Sequence, residues 1–324
     1  MQSIALVTTG GTIASKETKE GKLVAGELDG EELVASLDAP FDVSLEICSA
    51  VSKPSIHLTF TDLWNVREVV MDYCKDPSIT GVVVTSGTDT LEEVAYFLEL
   101  TLPVSKPVVV TGSQRGPEQV GSDASVNLRN AVITASDARV KELGVVVIFN
   151  ERMFSAKYVR KEHASNVQGF NAFGYGYFGI VDNDQAHIFQ KPLVREVIIS
   201  EPRFTPKKEF HVEILKVHLG ASAEVLQFML DSSSIDGIVI EGSDEVKYQK
   251  RTCRSYVTPK KPIVITTSAE EGEVYPSYDY EGSTYDLLNQ GVILGKDYSS
   301  KKAKVKLYVL LSAELMNLQS AFDQ

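Results

Sequence analysis

The sequence predicts an α/β protein with a larger N-terminal domain, built on a mostly parallel sheet flanked by helices, and a smaller C-terminal α/β domain with a parallel sheet. Its 324 residues exceed what one small domain needs. Short β-branched runs alternate with amphipathic stretches of helical period, and this alternation is typical of βαβ units. Hydrophobic residues make up 43% of the chain and charged residues 23%, which is the composition of a folded protein with a sizeable core.

The predicted N-terminal domain, residues 1–188, begins with a strand and then repeats a strand–helix pattern. Residues 91–100 and 127–135 carry apolar side chains at helical spacing, so both stretches are predicted helices. The predicted strands are short and rich in valine and isoleucine: residues 4–7, 81–84, 107–110 and 144–149. Strands that alternate with helices pair in parallel, so we expect helices on both faces of the sheet.

A change of composition divides the chain after residue 188. Residues 189–211 are rich in Pro, Lys and Arg and are predicted to link the two domains. The alternation then resumes in residues 212–324, the predicted C-terminal domain, with a closing helix over residues 301–316. Its predicted strands are residues 212–217, 237–240 and 262–266.

Charge and cysteine content argue against several classes of partner. The 32 Lys and Arg against 44 Asp and Glu give a net charge of −12, which disfavours nucleic acids and anionic membranes as partners. No run approaches the ~18 apolar residues that a membrane span needs. Cys48, Cys74 and Cys253 are scattered without Cys-x-x-Cys spacing, and the N-terminus lacks the regions of a secretion signal. We therefore expect a cytoplasmic protein in a reducing compartment.

Three predicted strands of the N-terminal domain are followed by loops of one kind, rich in Thr, Ser and Gly: residues 8–12, 85–90 and 111–114. In an open parallel sheet, ligands bind outside the carboxyl ends of the strands, and glycine lets backbone N–H groups approach them. Turn chemistry alone explains any one of these loops. Three together indicate a binding site.

The second of these loops also has a purely structural interpretation. Asp89 with Glu92, or Thr90 with Glu93, matches a capping box ahead of an apolar helical stripe. A helix N-terminus also presents free N–H groups that can hold a carboxylate or an oxyanion. Capping and ligand binding are therefore compatible at Asp89.

Several other catalytic signatures are missing from the sequence. It contains no Walker-type phosphate loop, no His-Glu-x-x-His and no Gly-x-Ser-x-Gly elbow. The histidines show no metal-ligand spacing: His57, His163, His187, His211 and His218. We expect neither a metal nor an organic cofactor.

Two of the loops together resemble the signature motifs of the bacterial-type L-asparaginase/glutaminase family. Thr-Gly-Gly-Thr-Ile-Ala, residues 9–14, directly follows the first strand, and Thr-Ser-Gly-Thr-Asp-Thr, residues 85–90, follows a later one. The similarity is strong to about residue 190 and weaker beyond it. Supporting stretches are residues 54–59, 109–115, 121–123, 159–163 and 302–305.

The resemblance implies an asparaginase, an enzyme that hydrolyses L-asparagine to L-aspartate and ammonia through a threonine nucleophile, with L-glutamine as a slower substrate. Carried over residue by residue, it implies Thr12 as the nucleophile and Thr88, Asp89 and Lys161 as a second polar triad. It also implies a homo-oligomer, dimer or tetramer. The implied substrate-binding residues are Gly11, Ser55, Gly87, Asp89 and Ser113, with Asp89 facing the α-ammonium group.

The implied chemistry is consistent with these residue types. A threonine hydroxyl is a weak nucleophile and needs a base, or a shifted neighbour, within hydrogen-bonding distance. A lysine such as Lys161 can act as that shifted neighbour where burial and polar partners keep it partly neutral. Without the family match, Lys161 would be interpreted as an exposed cation.

The lid after the first motif, residues 15–27, departs from the family pattern. The family places a tyrosine there, close to the nucleophile, whereas the first tyrosine of this chain is Tyr73 and Leu23 falls at the corresponding place. Either Thr18 or a water replaces the phenol, or catalysis depends on the Thr88–Lys161 pair. Weak or altered activity is one expectation.

The C-terminal domain departs as well. The family often has a Gly-x-Gly-Asn-type loop that completes the neighbouring subunit's site, whereas residues 240–246 read Ile-Glu-Gly-Ser-Asp-Glu-Val. We expect these acidic side chains to be solvated rather than to face a substrate. Residues 271–281 are a second candidate for the completing role.

Two alternatives to the asparaginase stay open at this point. One is an amidohydrolase of the same fold for another small amide, or the glutaminase-like subunit of an amidotransferase. The other is an amino-acid-binding protein that has lost turnover. One methylene in a simple pocket is worth only ~1–3 kcal/mol, so the sequence does not decide between asparagine and glutamine.

Overall fold

The computed structural model describes residues 2–17, 20, 23–24, 30–35, 43–103, 105–201, 203–242, 261–277, 279 and 283–323. The chain forms two compact units, Met1–Thr205 and Pro206–Gln324. Each unit is a sheet with helices packed against it, so the predicted two-domain α/β fold class is confirmed.

The described strands of the first unit form one large sheet and two small ribbons. They are β1 (Gln2–Thr8), β2 (Lys16–Glu17), β3 (Leu23–Val24), β4 (Val43–Ser49), β5 (Gly81–Thr85), β6 (Val108–Thr111), β7 (Val145–Phe149), β8 (Arg152–Ser155), β9 (Arg160–Lys161), β10 (Phe170–Asn171), β11 (Gly179–Asp182) and β12 (Gln185–Ile188). The large sheet has the order β12-β11-β8-β7-β6-β5-β1-β4. Its part from β4 to β7 is parallel, and β8, β11 and β12 extend it antiparallel.

Helices cover the parallel part of this sheet. They are α1 (Gly30–Ala35), α2 (Phe60–Lys75), α3 (Leu91–Thr101) and α4 (Ala124–Ser136). Leu128, Ala131 and Val132 of α4 pack in one buried cluster with Leu6 and Val83 of the sheet. Fully burying a leucine or valine side chain contributes roughly 1.5–3 kcal/mol, so this layer is a major part of the core.

A two-residue turn reverses the chain between β7 and β8. Asn150 and Glu151 have φ angles of 48° and 65°, and Phe149 pairs with Arg152 across the turn. Positive φ at both central positions is typical of the tight hairpin turns whose twist suits antiparallel strands, and asparagine tolerates it. The turn begins the antiparallel extension, which the sequence did not predict.

Part of the segment predicted as a linker is bound to the first unit. Arg195 Nε lies 3.1 Å from Glu99 Oε1 on α3. The backbone N–H groups of Ile198 and Ile199 donate to Leu100 O at 2.8 and 3.1 Å. These residues are therefore held against α3.

The second unit contains a parallel sheet in the order β13-β14-β15-β16, formed by the described strands β13 (Val212–Lys216), β14 (Gly237–Gly242), β15 (Ile263–Thr267) and β16 (Ile293–Leu294). Its described helices are α5 (Ala223–Asp231), α6 (Thr284–Asn289), α7 (Ser300–Ser312) and α8 (Leu318–Phe322).

The closing helix predicted over residues 301–316 corresponds to α7, which ends earlier than predicted, at Ser312. Glu314 takes a positive φ of 55°, a conformation that terminates a helix. Among the described helices of the chain, none is long and apolar enough to cross a membrane.

Helix α2 begins with a complete capping box. Thr59 Oγ1 accepts the N–H of Asp62 at 3.2 Å, and Asp62 Oδ2 accepts the N–H of Thr59 at 2.8 Å. Burial raises the pKa of Asp62, but hydrogen bonds from Lys53 and Thr59 outweigh it and bring that pKa below its ordinary value of 3.8. A carboxyl whose pKa is lower in the folded than in the unfolded chain stabilises the fold fully above its unfolded pKa. This stabilisation is lost as the pH falls through the folded pKa.

We expect Thr59→Ala to lower the free energy of unfolding by about 1 kcal/mol at pH 7, because one helix N–H group loses its acceptor and the Asp62 carboxylate loses the hydroxyl donor of Thr59. Urea denaturation measures it, and the deficit should shrink below pH 3.8 as Asp62 is protonated. Thr61→Ala is the control, since Thr61 is exposed in the same helical turn. Equal losses in both variants would contradict the capping role.

Candidate active site

Strand register brings the three predicted loops to one edge of the sheet. Thr8 at the end of β1 pairs with Thr85 of β5, and Thr85 pairs with Thr111 of β6. Strand β4, which follows β1 in the described order, lies on one side of β1, and the next strands β5, β6 and β7 lie on the other side of it. The sheet therefore has its topological switch point between β1 and β5, where open α/β sheets bind ligands.

The loops after β1 and β5 touch at two glycines. A Cβ on Gly11 would lie 2.4 Å from Gly87 N, and Gly11 has a φ of 85°, which other residues rarely adopt. Thr12, half-buried, and Thr88, 6% exposed, each directly follow one of these glycines. The structure thus brings both predicted catalytic threonines to one junction.

Ser55 is the third residue at this junction. A Cβ on Gly87 would lie 2.7 Å from Ser55 Oγ, so the two residues are in close contact. Thr90 Oγ1 donates to Ser55 O at 3.0 Å and makes no side-chain capping bond, although Thr90 is the N-cap residue of α3. The Thr90–Glu93 version of the predicted capping box is therefore wrong: Thr90 is the N-cap residue, but its hydroxyl is oriented toward Ser55 O and accepts no helix N–H group.

Lys161 reaches the junction from β9. Its Nζ lies 2.9 Å from Thr88 Oγ1 and 2.8 Å from Asp89 Oδ1. The Lys161 side chain is 17% exposed and that of Asp89 is 63% exposed. The three residues of the predicted polar triad are thus in contact, with the carboxylate on the open side.

Ser113 lies on the third loop with its hydroxyl turned inward. It is fully buried, and its Oγ donates to Arg115 O at 2.7 Å. A Cβ on Gly112 would lie 2.3 Å from Ser86 O, so this loop packs directly on the second one. In this state the Ser113 hydroxyl is engaged within its own loop.

Comparison with known proteins identifies the family. Residues 3–194 match the family model described as asparaginase, N-terminal, and residues 211–320 match the glutaminase/asparaginase C-terminal domain. The chain belongs to the asparaginase family. The family predicted from the two motifs is confirmed.

Full-length relatives and a solved structure agree with this. The chain is 47% identical to an L-asparaginase of Bacillus licheniformis, with 99% of each chain covered. It is 33% identical to a probable L-asparaginase of Deinococcus radiodurans, covering 99% of this chain and 97% of that protein. The structure of the thermostable L-asparaginase from Thermococcus kodakarensis matches with a TM-score of 0.85 and 25% identity, covering 100% of this chain and 97% of that one.

The lid that differs from the asparaginase pattern contains a small hairpin. Strands β2 and β3 pair antiparallel, which sets Leu23 opposite Glu17. Lys16 Nζ donates to Glu32 Oε1 at 2.7 Å. Thr18, a predicted substitute for the missing phenol, lies outside the described residues.

The C-terminal loop that departs from the asparaginase pattern is described only at its start. Glu241 Oε1 lies 2.7 Å from Lys216 Nζ, and its Oε2 accepts the hydroxyl of Ser300. The expectation of a solvated acid is wrong at Glu241, because strand register sets Lys216 beside it. Residues 243–246 lie outside the described residues, as do residues 278 and 280–281 of the second candidate stretch.

One further glycine pattern carries no site of its own. Residues 174–179 read Gly-Tyr-Gly-Tyr-Phe-Gly, the spacing of a dinucleotide-binding loop. They run from a turn into β11, and β12 follows it instead of a helix. The strand–turn–helix context that holds a pyrophosphate is therefore not formed.

Sequence reasoning missed several polar residues that hold this site together. Thr9 Oγ1 donates to Thr85 O at 2.9 Å and ties the first loop to β5. Gln114 Nε2 donates to His163 O at 2.8 Å, and the Asp123 carboxylate accepts the N–H of Gln114 at 3.0 Å. All of these lie inside the motif stretches quoted above, but a motif alone does not give a residue's role.

We expect Gly11→Ala to destabilise the first unit beyond the ~1–2 kcal/mol of an ordinary positive-φ residue, because its Cβ also collides with the Gly87 backbone. Urea denaturation measures it. Gly176→Ala is the matched control: its φ is 71°, and the nearest atom to its Cβ, Gln190 Nε2, is 3.8 Å away. Equal destabilisation of the two variants would show that the Gly11–Gly87 contact is not tight.

Proposed function

We propose that this chain hydrolyses L-asparagine to L-aspartate and ammonia, and L-glutamine more slowly. The observation that carries the proposal is the contact of Lys161 with Thr88 and Asp89, beside the loop that presents Thr12. The family of the chain and its 47% identity to a protein named L-asparaginase support it.

In the proposed complex, the second loop holds the amino-acid end of the substrate. The Asp89 carboxylate binds the α-ammonium group, since its side chain lies beside Lys161 and is 63% exposed, which makes it accessible to a substrate. Ser55 Oγ and the backbone around Gly11 and Gly87 bind the α-carboxylate. These groups share one junction, so the substrate side chain is directed at Thr12.

Thr12 Oγ1 attacks the side-chain amide carbon and forms the new C–O bond. The carbonyl oxygen takes the negative charge, which nearby backbone N–H groups stabilise by roughly 3–4 kcal/mol for each well-placed donor. The C–N bond then breaks, the amide nitrogen takes the proton lost by Thr12, and ammonia leaves. Water hydrolyses the resulting ester, which releases aspartate and restores the hydroxyl.

We assign proton movement in this reaction to the Thr88–Lys161 pair. Thr88 Oγ1 and Lys161 Nζ are 2.9 Å apart, within the range needed for proton transfer. In the proposed route, the proton of Thr12 reaches this pair through a bridging water and passes from it to the leaving nitrogen. This route needs no phenol in the lid, where the chain has no tyrosine.

The proposal includes assembly into a homo-oligomer, dimer or tetramer, in the cytoplasm. A reducing compartment is supported by the free thiols of Cys48 and Cys74. Burial raises the pKa of the Cys74 thiol to about 11, so it stays protonated and unreactive at neutral pH. Cys253 lies outside the described residues.

We expect Thr12→Ala to abolish ammonia release from L-asparagine, because the attacking oxygen is removed. Ammonia release from L-asparagine, D-asparagine and L-glutamine, assayed side by side, measures turnover and substrate preference. Thr12→Ser, which keeps a hydroxyl, should retain part of the activity. Undiminished turnover in Thr12→Ala would refute the nucleophile assignment. If the wild-type chain binds L-asparagine in calorimetry but releases no ammonia over hours, an amino-acid-binding protein is favoured instead.

We expect Lys161→Met to lower kcat by at least ~100-fold, the lower range for a positioned acid–base group. Steady-state kinetics on L-asparagine measures this loss. Lys141→Met is the control, since Lys141 is an exposed lysine of the same unit. A near-wild-type rate in Lys161→Met would show that Lys161 has no catalytic role.

A further inference from the structure

The strand that carries Lys161 is too short to hold it in place alone. Strand β9 has two residues and, among the described strands, pairs only with the two residues of β10, with Lys161 opposite Phe170. Beyond this pairing, the N–H groups of Glu162 and His163 donate to Gly169 O at 2.8 and 3.2 Å. The position of Lys161 therefore depends on what anchors the loop between β9 and β10.

Gln114 supplies the first anchor. Its Nε2 donates to the carbonyl oxygen of His163 at 2.8 Å. A Cβ on Gly169 would lie 2.2 Å from the same Nε2, so the Gln114 amide fits against the loop only because residue 169 is glycine. One side chain thus contacts both ends of the turn that follows Lys161.

Asp123 holds Gln114 in turn. The Asp123 carboxylate, on a residue only 8% exposed, accepts the backbone N–H groups of Gln114 and Arg115, both at 3.0 Å. It also accepts a hydrogen bond from Asn127 Nδ2 at 3.0 Å. Hydrogen bonds to a carboxylate are about twice as strong as neutral ones, so this loop is firmly tied to the start of α4.

A second connection runs from the same turn of α4. Asn127 Oδ1 accepts the backbone N–H of Asn150 at 3.0 Å. Asn150 Nδ2 then donates to Gln168 Oε1 at 2.6 Å, one residue before Gly169. The loop after Lys161 is therefore held from two sides, and both connections start at Asp123 and Asn127.

We propose that Gln114 is a positioning residue for Lys161, and that Asp123 fixes Gln114 for this role. The inference rests on the proposed function, since it concerns the reaction that Lys161 serves. Lys161 must keep its Nζ within 2.9 Å of Thr88 Oγ1 and 2.8 Å of Asp89 Oδ1. A misplacement of about 1 Å can cost on the order of 100-fold in rate, so a loosened loop lowers kcat without touching the substrate.

The test is Gln114→Leu, which keeps the size of the side chain and removes the donor to His163 O. The expected result is a ~10- to 100-fold fall in kcat on L-asparagine, with KM changed less than about twofold. Gln190→Leu is the matched control, since it deletes the same kind of bond, from Nε2 to Tyr177 O at 2.7 Å. Its kcat should equal that of the wild type.

A double-mutant cycle separates positioning from a general structural effect. In a Lys161→Met background, Gln114→Leu should lower kcat no further than about twofold, because the residue that it positions is already gone. A full additional loss in that background would overturn the inference. So would a wild-type kcat in Gln114→Leu alone.

Gly169→Ala tests the same contact from the other side. Its Cβ displaces the Gln114 amide, so it should reproduce the fall in kcat and the non-additivity with Lys161→Met, even if Gln114→Leu folds poorly. A wild-type kcat in Gly169→Ala overturns the inference. Failure of the proposed function is distinct: the wild-type chain then releases no ammonia, and this inference falls with it.

Discussion

The backbone contact between Gly11 and Gly87 is the constraint on which the rest of the site depends. Strand register aligns Thr8 with Thr85, so the loops after β1 and β5 start at one level, and the two glycines let them meet without side chains between them. Each catalytic candidate threonine follows its glycine by one residue. Their placement is thus determined by peptide geometry, which is stiff, rather than by long side chains.

The parallel half of the first unit was predictable because its strands are buried on both faces. The valine runs in β5 and β6 need no polar residue on either side, and such continuous runs are easily recognised. Strand β4 was missed although it was predictable, since Val-Ser-Leu-Glu-Ile has the apolar–polar alternation of a partly exposed edge strand. Strands β8, β11 and β12 are four residues long and mix polar with apolar side chains, so each strand is too short to show a clear two-residue period.

The site was predictable as a set of motifs but not as a set of contacts. Lys161 and Thr88 are 73 residues apart in the sequence, and the fold brings them into contact through the β9–β10 ribbon that carries Lys161. Local rules failed where a distant partner competed. Thr90 orients its hydroxyl toward Ser55 O and accepts no N–H group of α3. The register of β13 with β14 pairs Glu241 with Lys216 instead of leaving it in water.

The ion pair between Lys161 and Asp89 cannot by itself explain why Lys161 is so well placed. Pairs with a mostly exposed partner contribute about 0–1 kcal/mol, whereas fixing a lysine side chain costs roughly 1.5–2 kcal/mol of rotamer entropy. The Asp89 side chain is 63% exposed, so its attraction falls in this weak class. The interactions that confine Lys161 must therefore act on its backbone and on the buried part of its side chain, which is only 17% exposed. Neutral hydrogen bonds in the loop after β9, together with the buried Phe170 opposite Lys161, meet that requirement.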